Sequence, residues 1–253
     1  MGVQETIEVS SSGIEAARGK VVGRYVDNKF GHASALSTTR GLIWELNRPY
    51  TKLSAPTTLS FSSSSAEDAS GGAEMLTSTI FGLNENYEEV SEVVTWTGQA
   101  VGTTVNQFIA FHRNKPLTGA PNVGNLYFYD DTGTATDGVP DNLDLIVGYV
   151  AAGDSYTHQC WYMVPANKTG YVTNYFASSF NNSNVYAIVQ IDIQEFGAPD
   201  GIKRRFTVSR GSLDKRLGAP IVLPAKSIIQ FTGASSSGTI DISASFDLQL
   251  LDD

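Results

Sequence analysis

The chain has 253 residues, of which 41% are hydrophobic and 17% charged, and its formal net charge is −9. This hydrophobic content can build a core and argues against wholesale disorder, whereas the acidic excess disfavours nucleic-acid binding through phosphate contacts. A single cysteine rules out an intrachain disulfide. No apolar run approaches the roughly 20 residues that cross a bilayer, and the N-terminus lacks a signal-peptide pattern. We therefore expect assembly in a reducing cytoplasm, with neither a membrane nor a nucleic acid as partner.

The first fifty residues differ from the rest of the chain. They show no sustained alternation of apolar and polar side chains, and their aromatic residues are scattered between glycines. We predict an extended N-terminal arm over residues 1–50, which neighbouring subunits hold in place. Its candidate residues for contact with a larger shell or with neighbouring subunits are Tyr25, Phe30, Trp44 and Tyr50.

From about residue 51 the sequence pattern predicts a regular series of short β-strands. The clearest unit is residues 77–96, where two alternating runs flank a polar turn at 83–87 and predict a β-hairpin. Further strands are predicted at residues 57–62, 104–113, 125–129, 143–150, 156–164, 170–178, 185–193, 206–209, 221–223, 227–232 and 239–250.

About a dozen short strands with frequent turns are typical of a β-sandwich or β-barrel. We therefore predict an all-β fold, an antiparallel β-sandwich over residues 51–253, built as one domain or as two β-lobes. No helical periodicity of useful length follows residue 50, and long βαβ units are absent. The folds that usually bind nucleotide cofactors are accordingly disfavoured.

An acidic loop between residues 130 and 144 is the best candidate for an ion site. Asp131, Asp137 and Asp141 supply the hard oxygen atoms that Ca²⁺ prefers. The EF-hand spacing is absent, and its terminal glutamate has no counterpart. We therefore favour an acidic surface turn, and we expect neither a metal nor a cofactor in this protein.

His158 and Cys160 are the remaining pair with possible catalytic chemistry. Two residues apart on a strand, they share a face, but a nucleophile and its base need hydrogen-bonding distance, which such neighbours rarely reach. We interpret Cys160 as a small core residue. Because the chain has only three histidines and no acid–base pair stands out, we predict no catalytic site and no small-molecule substrate.

Basic residues are concentrated in one part of the sequence. Lys203, Arg204 and Arg205 are followed by Arg210 and by the pair Lys215-Arg216. Two interpretations fit this cluster: solvated strand ends that pair with acidic loops, or a docking patch for an acidic neighbour.

Three motifs resemble a family of virion structural proteins of marine tailed phages. They are GLNENYEEVSEVVTW at 82–96, TTVNQFIAFHR at 103–113 and YMVPANKTGYVTNY at 162–175. The family has them in the same order, commonly with a glycine where Asn167 stands here, so the resemblance covers about residues 75–180. It implies a jelly-roll-like or related β-sandwich without catalytic residues.

The resemblance also implies a place in the virion. We expect a capsid decoration or cement protein that binds the major capsid protein and copies of itself, with a trimer as the expected oligomer and the N-terminal arm lying over the capsid. An alternative is a neck or tail subunit that forms a collar or anchors fibres. A further alternative, a glycan-binding β-sandwich, would use exposed aromatic rings to stack on sugars.

Overall fold

The computed structural model describes residues 14–69, 76–130, 132–180 and 185–253. Within these ranges the protein is nearly all β-structure, and each sheet is built from antiparallel strand pairs. No helix in the described ranges is long and apolar enough to cross a membrane.

The secondary structure is a series of eighteen strands in the described part of the chain. In order they are β1 (Arg24–Leu36), β2 (Gly41–Leu42), β3 (Thr57–Ser63), β4 (Thr77–Leu83), β5 (Glu89–Thr95), β6 (Gly102–Phe108), β7 (Ala110–Thr118), β8 (Leu126–Asp130), β9 (Ala135–Thr136), β10 (Val139–Pro140), β11 (Ile146–Val150), β12 (Trp161–Met163), β13 (Lys168–Phe180), β14 (Ala187–Gln194), β15 (Gly201–Val208), β16 (Gly211–Leu223), β17 (Ile228–Ser235) and β18 (Ile240–Asp252). A 3₁₀ helix spans Leu143–Leu145, and residues 14–17 form one helical turn.

Eight strands form a sandwich of two four-stranded sheets. Their orders are β1-β18-β13-β16 and β12-β17-β14-β15, and the short strand β2 adds to β17. The pairing is nested, because β1 pairs with β18, β12 with β17, β13 with β16 and β14 with β15. This nested order is the connectivity of a jelly roll. The predicted antiparallel β-sandwich is confirmed.

The sandwich core forms because strand residues alternate between the two faces of a sheet. In β18 the side chains of Ile240, Ile242, Ala244 and Phe246 are buried, whereas those of Asp241, Ser243 and Ser245, which alternate with them, are exposed or partly exposed. The Phe246 ring stacks on Phe231 of β17, with 5.2 Å between the ring centroids, and so joins the two sheets. Each fully buried side chain of this size contributes roughly 1.5–3 kcal/mol.

A second β-unit is inserted between β2 and β12 of the sandwich. It contains a four-stranded sheet, β11-β8-β3-β6, and a three-stranded sheet, β5-β4-β7. Aromatic side chains fill the core between these sheets. Phe128 stacks on Phe111 with centroids 4.7 Å apart and meets Trp96 edge-on at 5.4 Å.

The two β-units share an apolar interface. Leu42, Trp161 and Met163 from the sandwich belong to the same buried cluster as Leu83 and Tyr129 of the inserted unit. The inserted unit therefore packs against the sandwich, and the two connecting segments are not the sole link between them.

Part of the arm predicted over residues 1–50 belongs to the sandwich, which corrects that expectation. β1 pairs with β18 over nearly its whole length, and Leu42, Ile43 and Trp44 are buried. The sequence of β1 does not predict a strand, because polar residues interrupt its alternation, whereas its partner β18 carries a regular apolar pattern. Residues 1–13 lie outside the described ranges, so an arm there stays a prediction.

Candidate interaction surface

The four aromatic residues predicted to contact the capsid or neighbouring subunits fall into two groups. Tyr25 and Phe30 lie on β1 and are 46% and 38% exposed. Trp44 is 1% exposed, and its ring meets Tyr50 edge-on, with 5.3 Å between centroids. Tyr50 in turn contacts the ring of Trp161. Trp44 and Tyr50 therefore pack within the chain, and the contact hypothesis is retained for Tyr25 and Phe30 alone.

The densest exposed charge lies along one side of the sandwich. β15 is the last strand of one sheet and β16 the last strand of the other, and only two residues separate them. Arg210, in that connection, has a positive φ of 46°. We call the exposed cations of these two strands the basic edge: Lys203, Arg204, Arg205, Lys215 and Arg216.

The basic edge has an unbalanced charge. Residues 201–223 contain six basic residues and a single acid, Asp214, in a chain of net charge −9. In the part of the chain that the structure describes, no member of the basic edge has an acidic group within 4.0 Å. Among the described residues, the acidic loops therefore do not neutralise these cations, and positive charge of this kind is complementary to an acidic surface.

Two exposed apolar side chains accompany these cations. Ile202 on β15 is 57% exposed and Val222 on β16 is 53% exposed. Charged side chains on a terminal strand can also serve to prevent unwanted pairing with another strand, and that role needs no binding partner. Apolar side chains beside the cations favour a docking surface instead, because interface cores are apolar and their rims are polar.

Hydrogen bonds within the acidic loop link its own side chains. Asp141 accepts hydrogen bonds from the hydroxyls of Thr134 and Thr136 at 2.7 and 2.8 Å, and these lower the pKa of its carboxyl group. Asp137 occupies the turn with a φ of 49°, and Asp131 lies outside the described residues. These contacts fit the acidic surface turn that we favoured from the sequence.

His158 and Cys160 have different surroundings. Cys160 is fully buried in the sandwich core, and this burial raises the pKa of its thiol. His158 is partly exposed and hydrogen-bonds through Nδ1 to Oε1 of Glu45 at 2.6 Å. The interpretation of Cys160 as a core residue is confirmed.

A buried polar group at the interface of the two units was not evident from the sequence. Lys29 of β1 is 4% exposed and donates from Nζ to the carbonyl of His112 at 2.6 Å. Burial lowers the pKa of Lys29 to about 7. Next to it, Arg113 of β7 pairs with Asp27 of β1, so polar contacts as well as apolar ones join β1 to the inserted unit.

A further group of ionisable side chains converges where the chain passes between the units. Ligand atoms of Glu45, Asp154 and His158 all lie within 4.8 Å of one another. The hydrogen bond to Glu45 raises the pKa of His158. Burial, followed by the hydrogen bond to Glu45, raises the pKa of Asp154. Two carboxyl groups and an imidazole could hold a metal ion.

Neither the protein-family models nor the curated protein sequences match the chain. Among solved structures, the chain is similar to a structure of the infectious bursal disease virus Gt strain, with a TM-score of 0.22, 8% identity and coverage of 90% of this chain and 71% of that one. A structure of the Gx strain gives a TM-score of 0.24 and 9% identity, and the match covers 89% of this chain and 71% of that one. The crystal structure of the VP2 subviral particle of this virus gives a TM-score of 0.23 and 11% identity, with coverage of 90% of this chain and 71% of that one. Similarity this low supports no functional argument, so the fold assignment rests on the strand pairing above.

Proposed function

We propose that this protein is a non-enzymatic structural subunit of a virus particle. The observation that carries the proposal is the nested pairing of eight strands into a jelly roll, an architecture found in viral capsid and lectin domains. The resemblance of residues 75–180 to virion proteins of marine tailed phages supports the same proposal.

Within the particle, we assign the protein the role of a capsid decoration or cement subunit. Its partners would be the major capsid protein and further copies of itself, assembled as trimers on the shell. The protein would join the virion after both proteins have been made in the host cytoplasm. Many identical contacts on one shell would stabilise it through multivalency, even where each contact is weak.

The basic edge is the surface that we propose for docking onto the capsid. Its cations would meet an acidic patch on the shell, and Ile202 and Val222 would supply the apolar contacts inside the polar rim. Complementary charge accelerates association and fixes the orientation of docking. Because exposed charges are screened within about 8 Å at physiological ionic strength, binding should weaken as salt is added.

Co-sedimentation tests this proposal. The purified protein is mixed with empty shells assembled from the major capsid protein of the same phage, over a series of salt concentrations. We expect saturable binding that decreases as the salt concentration rises. Failure to bind at low salt would refute the decoration role, and electron micrographs with protein only at the portal vertex would indicate the neck or tail alternative.

A further inference from the structure

The chain crosses between its two β-units on two neighbouring connections. The outgoing connection joins β2 to β3, and the returning connection joins β11 to β12. The two meet in an isolated antiparallel bridge between Trp44 and Gln159. In an antiparallel bridge the residues on either side also face one another, so this register places Glu45 opposite His158.

The returning connection is held rigidly as it passes this point. Asn122 accepts hydrogen bonds from the amide of Gly153 through its carbonyl at 2.7 Å and from the amide of Ser155 through Oδ1 at 2.8 Å. The amide of Ala152 donates to Oδ1 of Asn125 at 3.0 Å. Asp154 lies inside this turn, so its carboxylate is directed by a fixed backbone.

Three potential ligand atoms converge at this crossing. Nδ1 of His158 lies 2.6 Å from Oε1 of Glu45 and 3.8 Å from Oδ2 of Asp154. Two ligand atoms bound to one tetrahedral zinc ion at 2.0–2.1 Å lie roughly 3.3 Å apart. The observed separations bracket that value, and changes of about 0.7 Å in the first separation and about 0.5 Å in the second would satisfy both.

The environment of the group also suits a bound cation. The Glu45 side chain is 9% exposed, and those of His158 and Asp154 are 29% and 38% exposed. The Phe30 ring meets the His158 ring edge-on, with 5.3 Å between centroids, which fixes the plane of the imidazole. Two adjacent carboxylates that are partly withdrawn from water repel each other, and a divalent cation between them would remove that repulsion.

We propose that Glu45, Asp154 and His158 bind one divalent transition-metal cation, of which Zn²⁺ is the best fit. An imidazole nitrogen with two carboxylate oxygens suits zinc and its first-row neighbours, whereas Ca²⁺ and Mg²⁺ prefer an all-oxygen shell. The three side chains leave a fourth position for water or for a side chain of a neighbouring subunit. The ion would tie the outgoing connection to the returning one and hold the inserted unit at a fixed angle to the sandwich.

Calorimetric titration of the full chain with Zn²⁺ after chelator treatment tests the proposal. We expect one ion per chain and a rise in melting temperature of about 5–10 °C at a hundredfold excess over Kd. Glu45→Gln, Asp154→Asn and His158→Gln should each weaken binding at least tenfold. Glu85→Gln, an exposed acid in the β4–β5 turn, is the charge-matched control and should bind as the wild type does.

Two results would overturn the proposal. One is the absence of stoichiometric binding of Zn²⁺, Co²⁺, Mn²⁺ and Ni²⁺ by the wild-type protein, which needs no variant and so does not depend on variant folding. The other is binding that persists unchanged in all three ligand variants, since the ion would then be held elsewhere. Binding of Co²⁺ with the visible absorption of a tetrahedral site, lost in His158→Gln, would support the assignment directly.

Discussion

Lys29 places an amine between the two β-units, where almost no water reaches it. In the unfolded chain the Lys29 amine stays protonated up to a pH near the ordinary lysine pKa of 10.5, whereas in the folded protein it loses its proton near pH 7. Between these values the unfolded state binds more protons, so Lys29 makes the free energy of unfolding increase as the pH rises. Below pH 7 the protein buries a charged amine, which opposes folding.

Replacing this amine should remove that pH dependence. Between pH 7 and pH 9, the stability of the wild type relative to Lys29→Met should rise by about 2 kcal/mol, measured by urea unfolding at both values. Other groups titrate in both proteins and cancel in the difference. A difference that stays constant across this range would mean that Lys29 is not buried as described.

Asp68 is a second buried ionisable side chain, and its role is to accept hydrogen bonds inside the inserted unit. Its carboxylate accepts hydrogen bonds from the Ser63 hydroxyl at 2.5 Å and from the amides of Val123 and Gly124 at 2.9 Å each. Asp68→Ala should lower the free energy of unfolding by about 3 kcal/mol, because buried donors lose their acceptor. The neighbouring exposed acid provides the control, and Glu67→Ala should change stability by less than about 0.5 kcal/mol. Equal effects of the two substitutions would contradict this role.

The burial of Lys29 and Asp68 could not be identified from the sequence, because what surrounds a residue depends on distant parts of the chain. The hydrogen-bond acceptor of the Lys29 amine is the backbone carbonyl of His112, 83 positions away. Asp68 accepts hydrogen bonds from the amides of Val123 and Gly124, which lie 55 and 56 positions away. The basic cluster, in contrast, was visible in the sequence because its residues are adjacent on the chain.

The strands differ in how clearly their sequences predict them. The hairpin at residues 77–96 is confirmed as β4 and β5, with Thr77 paired to Thr95. The sequence also predicts β14 and β18, because apolar side chains recur at every second position along both strands. β1 and β16 are terminal strands with one unpaired edge and long exposed stretches, so their sequences lack the pattern of a buried face.

Gly31 tests whether β1 is a strand of the sandwich or part of a detached arm. A Cβ added here would lie 2.1 Å from the Ile43 carbonyl and 2.7 Å from the Cys160 amide nitrogen, and backbone atoms cannot move aside cheaply. Gly31→Ala should therefore lower the free energy of unfolding by about 3 kcal/mol. At Gly218 of β16 a Cβ meets nothing within 4 Å, so Gly218→Ala should have little effect. If Gly31→Ala were equally harmless, β1 would not be packed as described.

The basic edge is tested by reversing its charge. Arg204→Glu with Arg205→Glu should reduce binding to capsid shells at least tenfold at low salt, because attraction becomes repulsion. The matched control is Lys20→Glu with Lys115→Glu, which changes net charge equally at exposed sites elsewhere. Circular dichroism checks that both variants fold. Equal losses in the two variants would show that net charge, and not this edge, governs binding.

At the scale of the whole molecule, the sequence predicted the fold class but not the connectivity. The alternating pattern indicates strands, yet nothing in it shows that β1 pairs with β18 at the opposite end of the chain. Such pairings depend on which sheet faces bury one another, so they are set by the complete fold. The insertion of one β-unit between two strands of the other was invisible for the same reason.

The pairing of β1 with β18 determines which N-terminal truncations leave the jelly roll intact. Removing residues 1–40 would delete β1 and leave β18 with an unpaired edge. A deletion that ends before Arg24 keeps the jelly roll complete and tests the arm alone. If an N-terminal arm lies over the capsid, this shorter deletion should reduce shell binding without lowering the melting temperature.

Counting the copies of this protein in purified virions, by quantitative mass spectrometry against the major capsid protein, tests the proposed role most directly. A decoration subunit that covers the shell should be present at on the order of hundreds of copies per particle. A count of about a dozen or fewer would contradict decoration and favour a ring at the neck or tail. Complete absence from the particle would contradict a structural role in the virion altogether.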